Sequence, residues 1–256
     1  MMEQNLSPTN LEYYDDMFKL QSTAILLSSF LNEDDGRQTL ILDSTVFHPQ
    51  GGGQPSDTGS ISNSHFNFIV QDVRSKDKIV YHYGYFDKSN DGSLDVKKGA
   101  QVFLNVDEAR RKLNSRLHSA GHLLDICVRN VGWGHLEPTK GYHFADGPFV
   151  EYKGVVPHNE LQSKQKEIEL EANHLISKGG KVSVIISPYD KASELCGGSL
   201  PDYIPKDSTP RVVKLGESPG CPCGGTHVND ICEILNLKVS QIRTKKGQTK
   251  VFYNVV

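Results

Sequence analysis

The chain has 256 residues, 37% hydrophobic and 23% charged, a balance that fits one large or two modest globular domains and argues against a disordered chain. A formal net charge of −3 excludes the overall basic signature of many nucleic-acid binders, so contact with nucleic acid must come from local patches. Five cysteines, an odd number, do not make a disulfide framework, and no apolar run approaches the length of a membrane span.

In chain order, the opening MMEQNLSPTNLEYYDD is acidic and lacks the basic and apolar regions of a signal peptide, so a cytoplasmic protein is expected. Residues 22–30, 38–47, 66–73, 78–86 and 101–106 are β-branched, aromatic and partly alternating, which predicts strands. Gly/Asn/Asp/Ser clusters at 32–37, 57–64 and 87–93 separate them. Short strands so spaced predict a small barrel. Near Val106-Asp107 the periodicity changes, and a helix capped by Asp107 is predicted to run to about Asn130, stopped by Gly132 and Gly134. Strand-like sequence follows at 141–152. A second helix is predicted over about 160–178, with Asn159 as its cap and Gly179-Gly180 as its stop. Strands are predicted again at 181–187, 211–215, 231–243 and 249–255. The whole reads as α+β, with a barrel domain at 1–105 and a second domain at 106–256.

The chemistry concentrates in two short stretches. In RLHSAGHLLDI (116–126) His118 and His122 are four apart on a predicted helix and lie one above the other. Leu113, Leu117, Ala120, Leu124 and Val128 form the apolar stripe; the histidines fall roughly opposite it, beside Arg111, Ser115 and Asp125. In CPCGGTH (221–227) Cys223 and His227 are also four apart, on a glycine-rich loop. Three imidazoles and one thiolate suit a tetrahedral Zn2+ ion rather than magnesium or calcium. The metalloprotease pattern needs a glutamate after the first histidine, where this chain has Ser119. A zinc finger would need short spacings throughout. A second Cys-Gly-Gly, at Cys196, is a decoy, because Leu200 stands where a histidine would be needed.

With RLHSAGHLL (116–124), CGGTHV (223–228) and FHPQGGGQPSDTG (47–59), the chain resembles the alanyl-tRNA editing proteins, the freestanding AlaX family in its longer form, and the editing domain of alanyl-tRNA synthetase. The likeness runs from about residue 20 to the end. It implies a translation-factor-like barrel at the N-terminus and a zinc-dependent editing domain after it. It implies His118, His122, Cys223 and His227 as the zinc ligands. It also brings Gln54, on the three-glycine loop, into contact with the site. A threonine that selects serine matches Thr139. Because Gln54 lies outside both metal motifs, its loss is expected to lower activity and leave the metal in place.

The function implied is hydrolysis of the aminoacyl ester of mischarged tRNA(Ala), chiefly seryl and, second, glycyl. A zinc ion that only pins two segments, giving a non-catalytic tRNA-binding module, stays open, as does a deacylase for another aminoacyl-tRNA such as threonine's. No DNA or membrane partner is expected. Patches for tRNA are Arg110-Arg111-Lys112 with Arg116, Lys164 with Lys166, and Arg243 with Lys245, Lys246 and Lys250. His135, His143 and Cys221 are read as structural, and Thr226 as a turn stabiliser.

Overall fold

The structure, a computed structural model, describes residues 6–33, 35–87 and 96–256. Two compact units divide it. One takes the chain up to Gly51 together with Pro55–Lys112; the other takes Gly52–Gln54 together with Leu113–Val256.

The first unit is a closed barrel. A two-residue strand, β1 (Asn10–Leu11), pairs in parallel with β4 (Ser44–Thr45). The barrel strands are β2 (Gln21–Leu31), β3 (Gln38–Leu42), β5 (Gly59–Ser62), β6 (Asn67–Lys76), β7 (Ile79–Phe86) and β8 (Gln101–Val106). Their order is β2-β3-β7-β6-β5-β8, every pair antiparallel. Closure leaves no unpaired edge. Alternation fills the interior: in β8, Val102, Leu104 and Val106 are buried between exposed Gln101, Phe103 and Asn105. Leu26, Leu40, Leu42, Ile61, Phe68 and Val80 complete the core around them.

Strand β5 falls inside the spacer expected at 57–64. Its small residues imitate a turn, but Gly59 pairs with Val106, and a Cβ there would lie 2.1 Å from the Asn105 carbonyl oxygen. The glycine permits a close strand approach rather than a turn. Apart from Asp87, the 87–93 spacer lies outside the described residues, as do residues 1–5 of the opening segment.

Arg111 overturns its expected place in a basic patch. It is 2% exposed. Its Nε donates to both oxygens of the fully buried Asp57 at 3.0–3.1 Å, and its Nη atoms donate to the Met17 and Val46 carbonyls. The Asp57 carboxylate also accepts the His48 N–H at 2.6 Å. A guanidinium so enclosed holds the first unit together and is closed to tRNA.

The second unit opens within α1 (Glu108–Val128). Asp107 caps the helix as expected, its Oδ1 accepting the Arg110 N–H at 3.1 Å. The expected strand at 141–152 is two antiparallel strands, β9 (Glu137–Tyr142) and β10 (Phe149–Lys153), because a turn at Ala145-Asp146 reverses the chain. Helix α2 (Leu161–Lys178) follows a 3₁₀ turn over His158–Glu160. That turn absorbs Asn159, so the helix has no side-chain cap. Gly179 ends it in the left-handed region, φ 70°.

Next come β11 (Val182–Ile186), α3 (Tyr189–Leu195), β12 (Arg211–Leu215) and β13 (Cys221–Pro222). The expected strand at 231–243 begins instead as a 3₁₀ turn, Ile231–Ile234, capped by Asp230. Only then does β14 (Leu237–Lys245) start, followed by β15 (Gln248–Val255). The sheets are β14-β15-β10-β9 and β11-β12-β13. Leu117, Leu124, Ile168, Ala172, Val150, Val251 and Val213 share one core. The fold is thus mixed α+β with a six-stranded closed barrel.

Candidate metal centre

The buried positions on α1 show why its histidines look ambiguous in sequence. From Asn114 onward the helix is covered on most of its circumference, and His118 is only 2% exposed. The face opposite the apolar stripe turns to the loop that follows β13. There the ligating atoms of His118, His122, Cys223 and His227 all lie within 4.8 Å of one another. The Cys223 Sγ is 3.5 Å from His118 Nε2 and 3.3 Å from His227 Nε2. Zinc–sulfur and zinc–nitrogen bonds of about 2.3 and 2.0–2.1 Å at tetrahedral angles would separate sulfur from nitrogen by ~3.5 Å. The donor set and its spacing therefore fit a zinc ion.

The protonation of His118 follows from its neighbour. Gln54 Oε1 accepts the Thr226 backbone N–H at 3.0 Å, which fixes the amide's orientation, and Gln54 Nε2 donates to Thr226 Oγ1 at 2.9 Å. The same Oε1 sits 2.8 Å from His118 Nδ1. A carbonyl oxygen only accepts, so Nδ1 carries the proton and Nε2 presents a bare lone pair toward Cys223. Gln54 is wholly buried. It therefore reaches the cluster through the His118 ring, on the side away from Cys223.

Local sequence makes this approach possible. A Cβ on Gly225 would lie 2.3 Å from His118 and 2.7 Å from Gln54 Oε1. A Cβ on Gly53 would meet the Gly141 carbonyl at 2.5 Å. The Arg211 guanidinium donates to the Cys223 and Gly225 carbonyls at 2.7 and 3.0 Å, holding the loop. Ser119, where a metalloprotease would carry its glutamate, accepts the Val228 N–H at 3.1 Å and lies 3.2 Å from His227 Nδ1. Thr226 is more than a turn stabiliser, since its hydroxyl also meets Ser115 Oγ at 2.8 Å.

Burial pushes His122 down to about 4, so it is a neutral imidazole near pH 7. Burial pushes the Cys223 thiol up, against the Gly225 N–H and the Arg211 charge.

His143, discounted from the sequence, stacks on His118 with ring centroids 4.6 Å apart. Its Nδ1 is 2.7 Å from the Tyr253 hydroxyl, which donates to the Leu117 carbonyl. The available signal was glycine: a Cβ on Gly121, inside HxxxH, would fall 2.2 Å from the His143 ring, and one on Gly141 2.3 Å. His135 is exposed.

Thr139 is exposed on β9 and its hydroxyl donates to the Glu151 carbonyl at 3.1 Å. Its neighbour Pro138 lines a cavity of about 180 Å³, together with His122, Asp125, Arg129, Tyr152 and Cys221. The Tyr152 hydroxyl donates to Asp125 Oδ1 at 2.8 Å. Burial pushes the Asp125 carboxyl up to about 7, with Tyr152 and the Arg129 charge acting the other way.

Among the expected tRNA patches, Arg116 donates to the Ile234 and Val256 carbonyls. Lys164 is bound to the Val131 carbonyl and Glu167, and Lys250 to Glu151.

The chain thus has a closed barrel, and an α+β unit in which three imidazoles and a thiol converge in an arrangement that could hold a metal ion. Residues 4–110 match the family described as tRNA synthetases class II (A). The chain is 30% identical to the alanyl-tRNA editing protein AlaX-L of Pyrococcus horikoshii over 234 residues, 91% of this chain and 54% of that one. It is 31% identical over 251 residues to the alanine–tRNA ligase of Methanosarcina barkeri, and 30% over 241 residues to that of Halobacterium salinarum. These alignments cover 96% and 92% of this chain, but 25% and 24% of the ligases. The chain is thus similar both to an alanyl-tRNA editing protein and to alanine–tRNA ligases. It spans about half the length of the editing protein and a quarter of the ligases.

Proposed function

We propose that this chain is a zinc-dependent editing hydrolase that cleaves the ester between a wrong amino acid, chiefly serine and secondarily glycine, and tRNA(Ala). One observation carries the reading: four ligand atoms converge beside a cavity, and the tautomer of His118 is set by Gln54. The printed names of the relatives, an alanyl-tRNA editing protein and alanine–tRNA ligases, supply the substrate class.

His118, His122, Cys223 and His227 would hold the zinc ion, and Cys223 must give up its proton to do so. Bound there, zinc would supply Lewis-acid polarisation near the ester. The chain's own residues do the rest. Gln54 holds Nδ1–H of His118 and ties it to the 223–227 loop. Arg211 fixes that loop through its carbonyls. The cavity beside His122 receives the aminoacyl group. Thr139 stays in the proposal as the residue that reads serine: its hydroxyl donates to Glu151, which leaves lone pairs to accept the serine O–H. We assign the barrel to residues 1–105 and the editing domain to 106–256, with Gln54 as the barrel sequence's contribution. Arg243, Lys245 and Lys246, at the β14–β15 hairpin, are the proposed phosphate contacts. The reaction is cytoplasmic in this reading; no helix among the described residues is long and apolar enough to cross a membrane.

The second reading is the non-catalytic module, favoured by the fact that four protein ligands complete a tetrahedral shell. Seryl-, glycyl-, alanyl- and threonyl-tRNAs incubated with the purified chain separate the two. The hydrolase releases serine, more slowly glycine, and spares alanine. Release of none makes the chain a binding module, and preferential release of threonine moves it to another substrate.

A further inference from the structure

We propose that Asp125 is the anchor for the α-ammonium group of the bound aminoacyl ester, an inference that rests on the hydrolase reading above. Asp125 follows His122 by three residues on α1, so the two side chains are neighbours on one face, displaced ~4.5 Å along the axis. Both line the same cavity of about 180 Å³, well above the ~15 Å³ that admits one water. An aminoacyl ester places its ammonium nitrogen one carbon from the ester carbonyl. A carbonyl held at the His122 end therefore sends the ammonium toward Asp125.

The carboxyl is prepared for a cation. The Tyr152 hydroxyl donates to Oδ1 at 2.8 Å and fixes the side chain. Among the described residues no side chain makes a hydrogen bond or ion pair with Oδ2. Arg129, one turn on, spends its Nε on the Asp125 backbone carbonyl at 3.3 Å rather than on the carboxylate. Ile126, Leu136, Val213 and Leu215 supply apolar wall. A carboxylate in such surroundings is costly until a cation joins it, and burial accordingly raises the group to about 7. An ammonium entering the cavity restores the charge and completes the pair. The free α-ammonium is common to every aminoacyl ester and absent from N-blocked peptidyl esters. Asp125 thus selects for aminoacyl-tRNA as a class, and the choice among amino acids lies elsewhere.

The test uses the full chain, zinc-loaded, and two stable probes: 3′-seryl-amido-3′-deoxyadenosine, and the matching amide in which a hydroxyl replaces the α-amino group. Calorimetric titration near pH 8 is expected to show the wild type preferring the amino probe by about 10- to 100-fold, the range for a charge-assisted hydrogen bond. In Asp125→Asn that preference collapses while affinity for the hydroxy probe and zinc content stay unchanged. Tyr152→Phe, which keeps the carboxylate but removes its hydrogen bond, is expected to fall between, and carries the test if the asparagine variant does not fold. Retention of the full preference in either variant overturns the inference alone. A matched loss for both probes also overturns it, since a structural role would act that way. Failure of the wild type to deacylate any aminoacyl-tRNA overturns the hydrolase reading and this inference with it.

Discussion

Replacing Gln54 with alanine removes one amide and three hydrogen bonds. His118 Nδ1 loses its acceptor at 2.8 Å, the buried Thr226 N–H loses its acceptor at 3.0 Å, and Thr226 Oγ1 loses a donor at 2.9 Å. Each unsatisfied buried group costs ~1–3 kcal/mol unless water enters. The larger effect is on the metal. With the Gln54 acceptor gone, the proton is freer to move to Nε2, the nitrogen that must be bare to ligate. Losing the outer partner of a ligating histidine typically weakens metal binding by about 10- to 100-fold. The four ligands themselves remain, so loading at saturating zinc still reaches about one ion per chain. Competition against a chromogenic zinc chelator measures the affinity directly. Gln54→Glu, which keeps an acceptor for both N–H groups, should recover part of the loss. An unchanged zinc affinity, with deacylation of seryl-tRNA reduced, would refute this reasoning and leave Gln54 acting on the reaction without acting on the metal.

Cys223→Ala should lose zinc, by metal analysis after mild dialysis, whereas Cys196→Ala should keep it, because Cys196 caps α3 and is not among the four converging ligands. Gly225→Ala should weaken zinc binding without altering any ligand, since its Cβ would lie 2.3 Å from the His118 ring; an unchanged chelator titration would show that the loop yields. Arg111→Ala, which strands the buried Asp57 carboxylate, should cost ~3–5 kcal/mol of stability in denaturant unfolding, and a stability near wild type would restore Arg111 to the surface. His82, buried in the barrel and held near 4 by burial against an ordinary 6.5, binds a proton more readily unfolded than folded. Its stabilising contribution is therefore whole above about pH 6.5 and lost as pH falls toward 4, by as much as ~3 kcal/mol. His82→Gln should flatten that part of the stability–pH curve, and an unflattened curve would move the effect to other buried histidines.

The strands with clear alternation, such as Val102, Leu104 and Val106, were legible because the pattern is local. So were the ends of α1 and α2, where Asp107 and Gly179 act on their own helix. What escaped depends on distant partners. Gly59 looks like a turn until Asn105 is beside it. Arg111 sits in an Arg-Arg-Lys run, and only Asp57, 54 residues away, removes it from the surface. The four converging positions could be paired from two motifs because each pair is spaced for one local geometry. His143 could not, since what marks it is space left by Gly121 and Gly141 on other elements. Gln54 could be singled out but not given its partners: glycines and a proline describe how a loop bends, and that its amide ends under an imidazole is decided by Thr226 and His118.

Gly52–Gln54 groups with the second unit although the sequence on either side of it belongs to the first. The two units are consequently not separable at any single cut. A fragment starting at Leu113 would retain all four converging side chains and still lack the amide that fixes His118, encoded 64 residues upstream. Such a piece would bind metal more weakly than the parent and leave the Thr226 N–H without its acceptor. Anyone transplanting this site, or trimming the protein to its smallest working form, has to carry a tripeptide from the barrel's own sequence along with it.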